Sequence, residues 1–245
     1  MAELDYGKFS REEVLVKLQR TSALDRDTLS GVELRELALP EVRLSETVLT
    51  NCDLAGTDLG QAWLHGTLFR GVSLRKARLT DGAIERCRFI GSDLIEANLE
   101  GASLFRTEFE GSSLVNARMQ GCRILGGKFL NTDLYGARLP LAVLMHCAVA
   151  DTNLGNASLI RVDLRRAVLM DCDFTDANLR EADLEGALLL NVNLTGANLS
   201  GANLRNADLL NVKLLDANLD EACLAGSRAA GTSFTRASTL GTIWE

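Results

Sequence analysis

Proline, histidine, tryptophan and tyrosine each occur only twice in this chain. Each scarcity removes a class of function. With His65 and His146 alone, histidine-based metal or acid–base clusters have almost no material. No run of about 18 apolar residues exists from which a membrane-spanning helix could be made, and the first twenty residues show no signal-peptide core. No basic arm is present, and the net charge is −7, so direct contact with nucleic acid is not expected. Phosphate loops, dinucleotide fingerprints, CxxC pairs and nucleophile elbows are missing too. These absences predict a cytoplasmic protein with no membrane contact, no cofactor, no metal and no catalytic residues.

What the chain has instead is rhythm. From Leu24 to Leu224 every fifth residue is Leu, Ile, Val, Met or Phe, at forty-one consecutive positions. Two residues before each of these centres, from Val42 to Thr242, only Ala, Cys, Gly, Ser, Thr or Val occurs. A step of five turns a helical side chain by roughly 140° and scatters it around the cylinder. In a flat strand an odd step sends successive leucines to opposite faces. Only a backbone that turns a corner once per repeat directs all of them to one axis, which makes a solenoid. Phe69, Phe89, Phe109 and Phe129 recur at intervals of twenty, as stacked aromatics do when one coil holds four repeats.

Segments such as Ala177-Asn178-Leu179-Arg180-Glu181, Ala197-Asn198-Leu199-Ser200-Gly201 and Ala202-Asn203-Leu204-Arg205-Asn206 resemble the A(D/N)LXX unit of the pentapeptide-repeat proteins. The resemblance covers roughly residues 22 to 244. It implies that family's all-β solenoid, a right-handed quadrilateral β-helix of about ten twenty-residue coils. Residues 1–21 stand outside the repeat as a separate N-terminal cap, leaving 22–245 as the β-helix. In the cap, Ser10 and Glu13 read as a capping box, and Phe9 with Val14 as a hydrophobic staple, for a helix through about Arg20. Asp27 and Leu37 stand where a small residue belongs, so a loosened first coil is expected. Trp244, in phase with the leucines, is expected to plug the far end.

Phase also sorts the cysteines. Cys52, Cys87, Cys122, Cys147 and Cys172 take the small inward position, whereas Cys223 falls on an outward one. Cys87 and Cys147 share a column but lie three coils apart, about 14 Å at ordinary strand spacing, too far for a disulfide. His146 points out where Cys147 points in, which separates a candidate nucleophile from its base.

Function must then lie on the outside. One face carries Leu130, Ala148, Ala150, Val168, Met170, Leu188, Leu190 and Leu210 in successive coils, bordered by Asn131, Asp151, Asp171, Asn191 and Asn211. A contiguous apolar stripe with a polar rim marks a contact surface. A second group stacks Phe105, Leu125 and Met145, and a third stacks Ile95, Val115 and Tyr135. Residues 61–130 hold ten basic against seven acidic side chains, and residues 151–225 six against twelve, so the rod is an electric dipole. These features predict a non-catalytic scaffold or adaptor that binds a protein partner, with homo-oligomerisation expected. The resemblance implies two further readings. One is an acidic, DNA-mimicking modulator of DNA gyrase, with Asp163, Asp171, Asp173, Asp176, Glu181, Asp183 and Glu185 as phosphate surrogates. The other is a cargo adaptor in a bacterial secretion or toxin system.

Overall fold

The computed structural model describes residues 9–245. Its plan follows from one backbone event repeated without a slip. Every fifth residue from Arg26 to Gly241 lies in the left-handed region, with φ between +49° and +72°. Between these corners run four residues, of which the first and third are buried and the second and fourth turn outward. The outcome is a parallel β-solenoid with four sides per coil. Parallel bridges join residues twenty apart on every side, as in Arg43↔Trp63, Val48↔Leu68, Asp53↔Ser73 and Asp58↔Arg78. On the second side ten strands stack in order, from Thr28–Ser30 to Asp208–Leu210.

The repeated Asp or Asn earns its place at the corner. Its side chain accepts the N–H of the residue two further on, as Asp53 does from Ala55 (2.9 Å), Asp93 from Ile95 (3.0 Å) and Asn198 from Ser200 (3.0 Å). This is an Asx-turn, which holds the chain where it must bend. Most corners also close with a bond from residue i+3 to residue i, such as Thr57 N–H to the Leu54 carbonyl at 3.1 Å. Pro40 and Pro140 each follow a centre whose carbonyl is bonded in this way, by Val42 at 3.4 Å and Ala142 at 3.1 Å. That second turn position is the one for which the proline ring is preset.

Other corners stay open, and there the small inward residue becomes chemical. At Leu44, Phe69, Phe89, Phe109 and Phe129 the centre's carbonyl lacks that turn bond, and a hydroxyl from the next coil replaces it. The donors are Thr67, Ser92, Ser112, Thr132 and Thr152, at 3.0–3.3 Å. The Cys147 and Cys172 thiols serve Ile124 and Val149 in the same way. A buried carbonyl left unpaired costs about 1–3 kcal/mol, so at these open corners the Thr, Ser or Cys of the next coil supplies the missing donor.

The axis is filled by Leu, Ala and the phenylalanine column. Phe69, Phe89, Phe109 and Phe129 stack with centroids 4.5, 4.9 and 5.1 Å apart and planes within 10°, and all four are fully buried. Gly127 replaces Ala at its small position because a Cβ there would lie 2.6 Å from the branched methyl of Ile124.

The N-terminal helix, Arg11–Thr21, begins in the expected capping box: Glu13 N–H donates to Ser10 Oγ, and Ser10 N–H to Glu13 Oε2. It buries Val14 and Leu18 against the core, with Phe9 and Leu15 partly covered. The part of the expected cap in residues 1–8 lies outside the described residues. The first coil is not loose. Asp27 is buried, and both of its carboxylate oxygens lie 2.6 Å from Lys17 Nζ, while Asp25 N–H donates to it at 2.9 Å. The acid at an inward position therefore ties the helix to the rod. The far end also differs from expectation. Trp244 remains 48% exposed and meets Phe234 edge-on at 5.4 Å, because Ala229 and Thr239 are too small to close a core around it. Cys223, on its outward position, is nonetheless buried, with Asn203 and Ile243 flanking it in its column.

Two outcomes follow. Ala187→Glu places an unpaired charge in a fully packed layer, at a cost of ~3–5 kcal/mol. Hydrogen exchange should show the coils on either side losing protection, and an equally protected, soluble variant would mean that Ala187 faces water. All six thiols are free and buried; burial raises Cys87 and Cys122 to about 12 and Cys147 and Cys172 to about 11. A thiol reagent at mildly alkaline pH should leave the native protein unlabelled and modify all six after denaturation.

Candidate protein-docking surface

Outward side chains on the second side form two straight rows, one on each side of the buried centre. Backbone register aligns Lys128, Ala148, Val168, Leu188 and Asp208 in one row, and Leu130, Ala150, Met170, Leu190 and Leu210 in the other. Leu130, Met170, Leu188, Leu190 and Leu210 are half-buried by their neighbours in the column, and Val168 is 36% exposed. Leu169 and Leu189, between the rows, are buried. The expected alternation therefore holds residue by residue, and the apolar stripe is continuous over five rungs.

Its borders are polar, and part of one is laddered by hydrogen bonds. Along one edge run the corner residues Asn131, Asp151, Asp171, Asn191 and Asn211, in which Asn191 donates to Asp171 at 2.9 Å and Asn211 to Asn191 at 3.2 Å. The opposite corner dips at Gly186, forming a hollow of about 400 Å³ lined by Met145, Arg165, Arg166, Glu185 and Asn206. Ion pairs close the two ends: Lys128 with Glu108 at 2.6 Å, and Asp208 with Arg228. The Arg228 hydrogen bond holds the Asp208 carboxyl below its ordinary range. These terminal pairs belong to rungs twenty apart and become visible only when the charges are arranged by column.

The other two apolar groups have polar or cationic neighbours, although Phe105 and Tyr135 remain exposed. The Arg106 guanidinium lies 5.1 Å over the Phe105 ring, and Arg165 reaches Met145 Sδ at 3.6 Å, so only Leu125 of that column lacks a cationic cover. On the third side Tyr135 leans on Gly155 and accepts a bond from Asn156 at 3.1 Å.

The seven acidic candidates do not form one strip. Asp163, Asp183 and Glu185 lie on or beside the first side, Asp171 and Asp173 at the start of the third, Asp176 at the corner after it, and Glu181 at the corner before the first. Several are also answered by cations. Burial pushes the Asp163 carboxyl up, but hydrogen bonds from the Arg165 side chain and backbone, with the charges of Arg165 and His146, leave it lowered overall. Glu181 is lowered by its hydrogen bond from Arg161. Asp183 takes bonds from Asn203 at 2.9 Å and an ion pair with Arg165 at 3.5 Å.

His65 stacks on Trp63 with ring centroids 5.4 Å apart and faces Glu85 at 3.5 Å, whereas His146 lies at a separate corner with φ +57°. Among the described residues no group of His, Cys, Asp or Glu is arranged to hold a metal, and no helix is long and apolar enough to cross a membrane.

Comparison with known proteins adds the following. The family model for pentapeptide repeats matches in eight copies, within residues 29–139 and 150–224. No curated protein sequence matches significantly. Among solved structures, HetL, a pentapeptide repeat protein involved in heterocyst differentiation regulation in the cyanobacterium Nostoc sp. strain PCC 7120, is 26% identical. That match covers 95% of this chain and 96% of HetL, with a TM-score of 0.41. A pentapeptide repeat protein of the Arabidopsis thaliana thylakoid lumen is 31% identical over 35% of this chain and 59% of its own, with a TM-score of 0.34. QnrB1, a plasmid-mediated fluoroquinolone resistance protein, is 20% identical over 89% of each chain, with a TM-score of 0.32. With repeats of that family matched over most of its length and folded as a four-sided solenoid, this chain belongs to the pentapeptide-repeat family.

Proposed function

We propose that the chain is a non-catalytic docking scaffold, a rod that presents the apolar face of its second side to a protein partner. The observation that carries this reading is the pair of register-aligned rows from Leu130 to Leu210. Five rungs of apolar side chains on a hydrogen-bonded parallel sheet form a surface that is preorganised, so little conformational freedom is lost on binding. The face is bordered by polar groups, and the charges at its ends, Lys128 and Asp208, are ion-paired with Glu108 and Arg228. Among the described residues the axis is filled by buried Leu, Ala and Phe side chains. Six free thiols with no disulfide suit a reducing cytoplasmic setting.

A photoreactive phenylalanine analogue placed at position Met170 should cross-link to protein in cells, whereas the same group at Asn198 on the fourth side should not. Leu188→Asp with Leu190→Asp should remove the cross-link and weaken the association about a hundredfold, equivalent to ~2.7 kcal/mol, with the β-rich circular dichroism unchanged. A Met170 probe that captures no protein, or an association that survives both aspartates, would refute this reading.

A further inference from the structure

The order of side chains along the face has a symmetry of its own. Read along the rod, one row runs Glu108, Lys128, Ala148, Val168, Leu188, Asp208, Arg228, and each residue is bridge-paired to the next. Inverted about Val168, the row answers itself: Glu108 falls opposite Arg228, Lys128 opposite Asp208, and Ala148 opposite Leu188. The second row has its centre on the same rung. Inverted about Met170, Leu130 falls opposite Leu210 and Ala150 opposite Leu190. Charges thus meet opposite charges at both ends, and alanines meet leucines between them.

We infer that the face binds a second copy of this chain, with the rods antiparallel and a two-fold axis crossing the interface at Val168 and Met170. This rests on the docking reading above and names the partner. A two-fold axis lying in the interface and perpendicular to both rods sets each row against its own inverted counterpart, as an isologous dimer requires. Two sheets about 10 Å apart let leucines fill the space over alanines. At each end, Glu108 and Lys128 of one copy then face Arg228 and Asp208 of the other, forming a four-membered ring of alternating charge. Lys128 and Arg228 are 49% and 77% exposed and retain donor capacity beyond their pairs within the chain. A parallel arrangement would set the first row against the second and place Lys128 on Leu130, which loses all of this complementarity. Seven rungs of one side cover roughly 500 Å² per copy, about 1,000 Å² in total, which fits a dimer of micromolar rather than nanomolar affinity.

The test is sedimentation or light scattering of the purified chain across the micromolar range, combined with a charge-reversal pair. The wild type should approach twice its 26.5 kDa mass. Lys128→Glu sets Glu against Asp208 at both ends, and Asp208→Lys sets Lys against Lys128. Each variant alone should dimerise at least ~10-fold more weakly with unchanged circular dichroism. Mixed in equal amounts, the two variants should recover the dimer, because acids on one copy then meet cations on the other. Val168→Cys, on the axis, should be joined to its counterpart by a short bismaleimide, whose span suits facing sheets about 10 Å apart, whereas Ser113→Cys on the third side should not. A chain that stays monomeric at high concentration overturns the inference, as does a dimer indifferent to both reversals or a mixture that fails to recover. If the Met170 probe then captures a different protein, the docking reading stands and only the self-association fails.

Discussion

Everything in this molecule depends on the left-handed corner. A residue with φ near +55° turns an extended chain sharply, and when it recurs every fifth position the backbone closes a square of twenty residues. Left-handed geometry costs an ordinary side chain about 1 kcal/mol, and glycine, asparagine and aspartate occupy many of the corners for that reason. Others carry Arg, Glu, His146 or even Leu141. They tolerate the strain because the ladders on both sides hold the corner in place. Regularity is thus collective: each coil is a template for the next, as expected of a quasi-one-dimensional protein.

The same stacking governs side-chain chemistry. Any group on one rung meets its counterpart about 4.8 Å above and below, so the relevant neighbour is twenty residues away. Phenylalanines stack on phenylalanines, asparagine amides ladder onto aspartates, and Lys128 finds Glu108. Buried hydroxyls follow this rule too, because a threonine in one coil completes the open corner of the coil before it. A solvent-facing row is therefore a string in which every element is fixed relative to the next, and such a string can be complementary to its own inverse.

Most of the interior was legible from phase alone, since a period of five leaves no freedom in which residues face the axis. The outward rows were legible for the same reason, and Leu188 and Leu190 lie outside Leu189 as phase demands. Where reading along the chain failed, the cause was contact between distant segments. Asp27 breaks the small-residue rule, yet it anchors the helix through Lys17. Cys223 obeys the outward rule yet is covered. Trp244 is in phase but has no packed layer around it. Phe105 and Met145 sit where expected, each with an arginine against it. The acidic residues counted as one surface are distributed over several sides, because position modulo twenty, rather than composition, decides which charges adjoin.

Sequence alone determined the period, the four sides, the inward and outward sets and the packed axis, because each follows from a local rule that every repeat obeys independently. Tertiary structure decided which corners close by backbone bonds and which borrow a hydroxyl, how the helix is tied to the first coil, and which outward side chains are free or covered. These depend on the distance between atoms far apart in the chain, and that distance exists only once the coils are stacked.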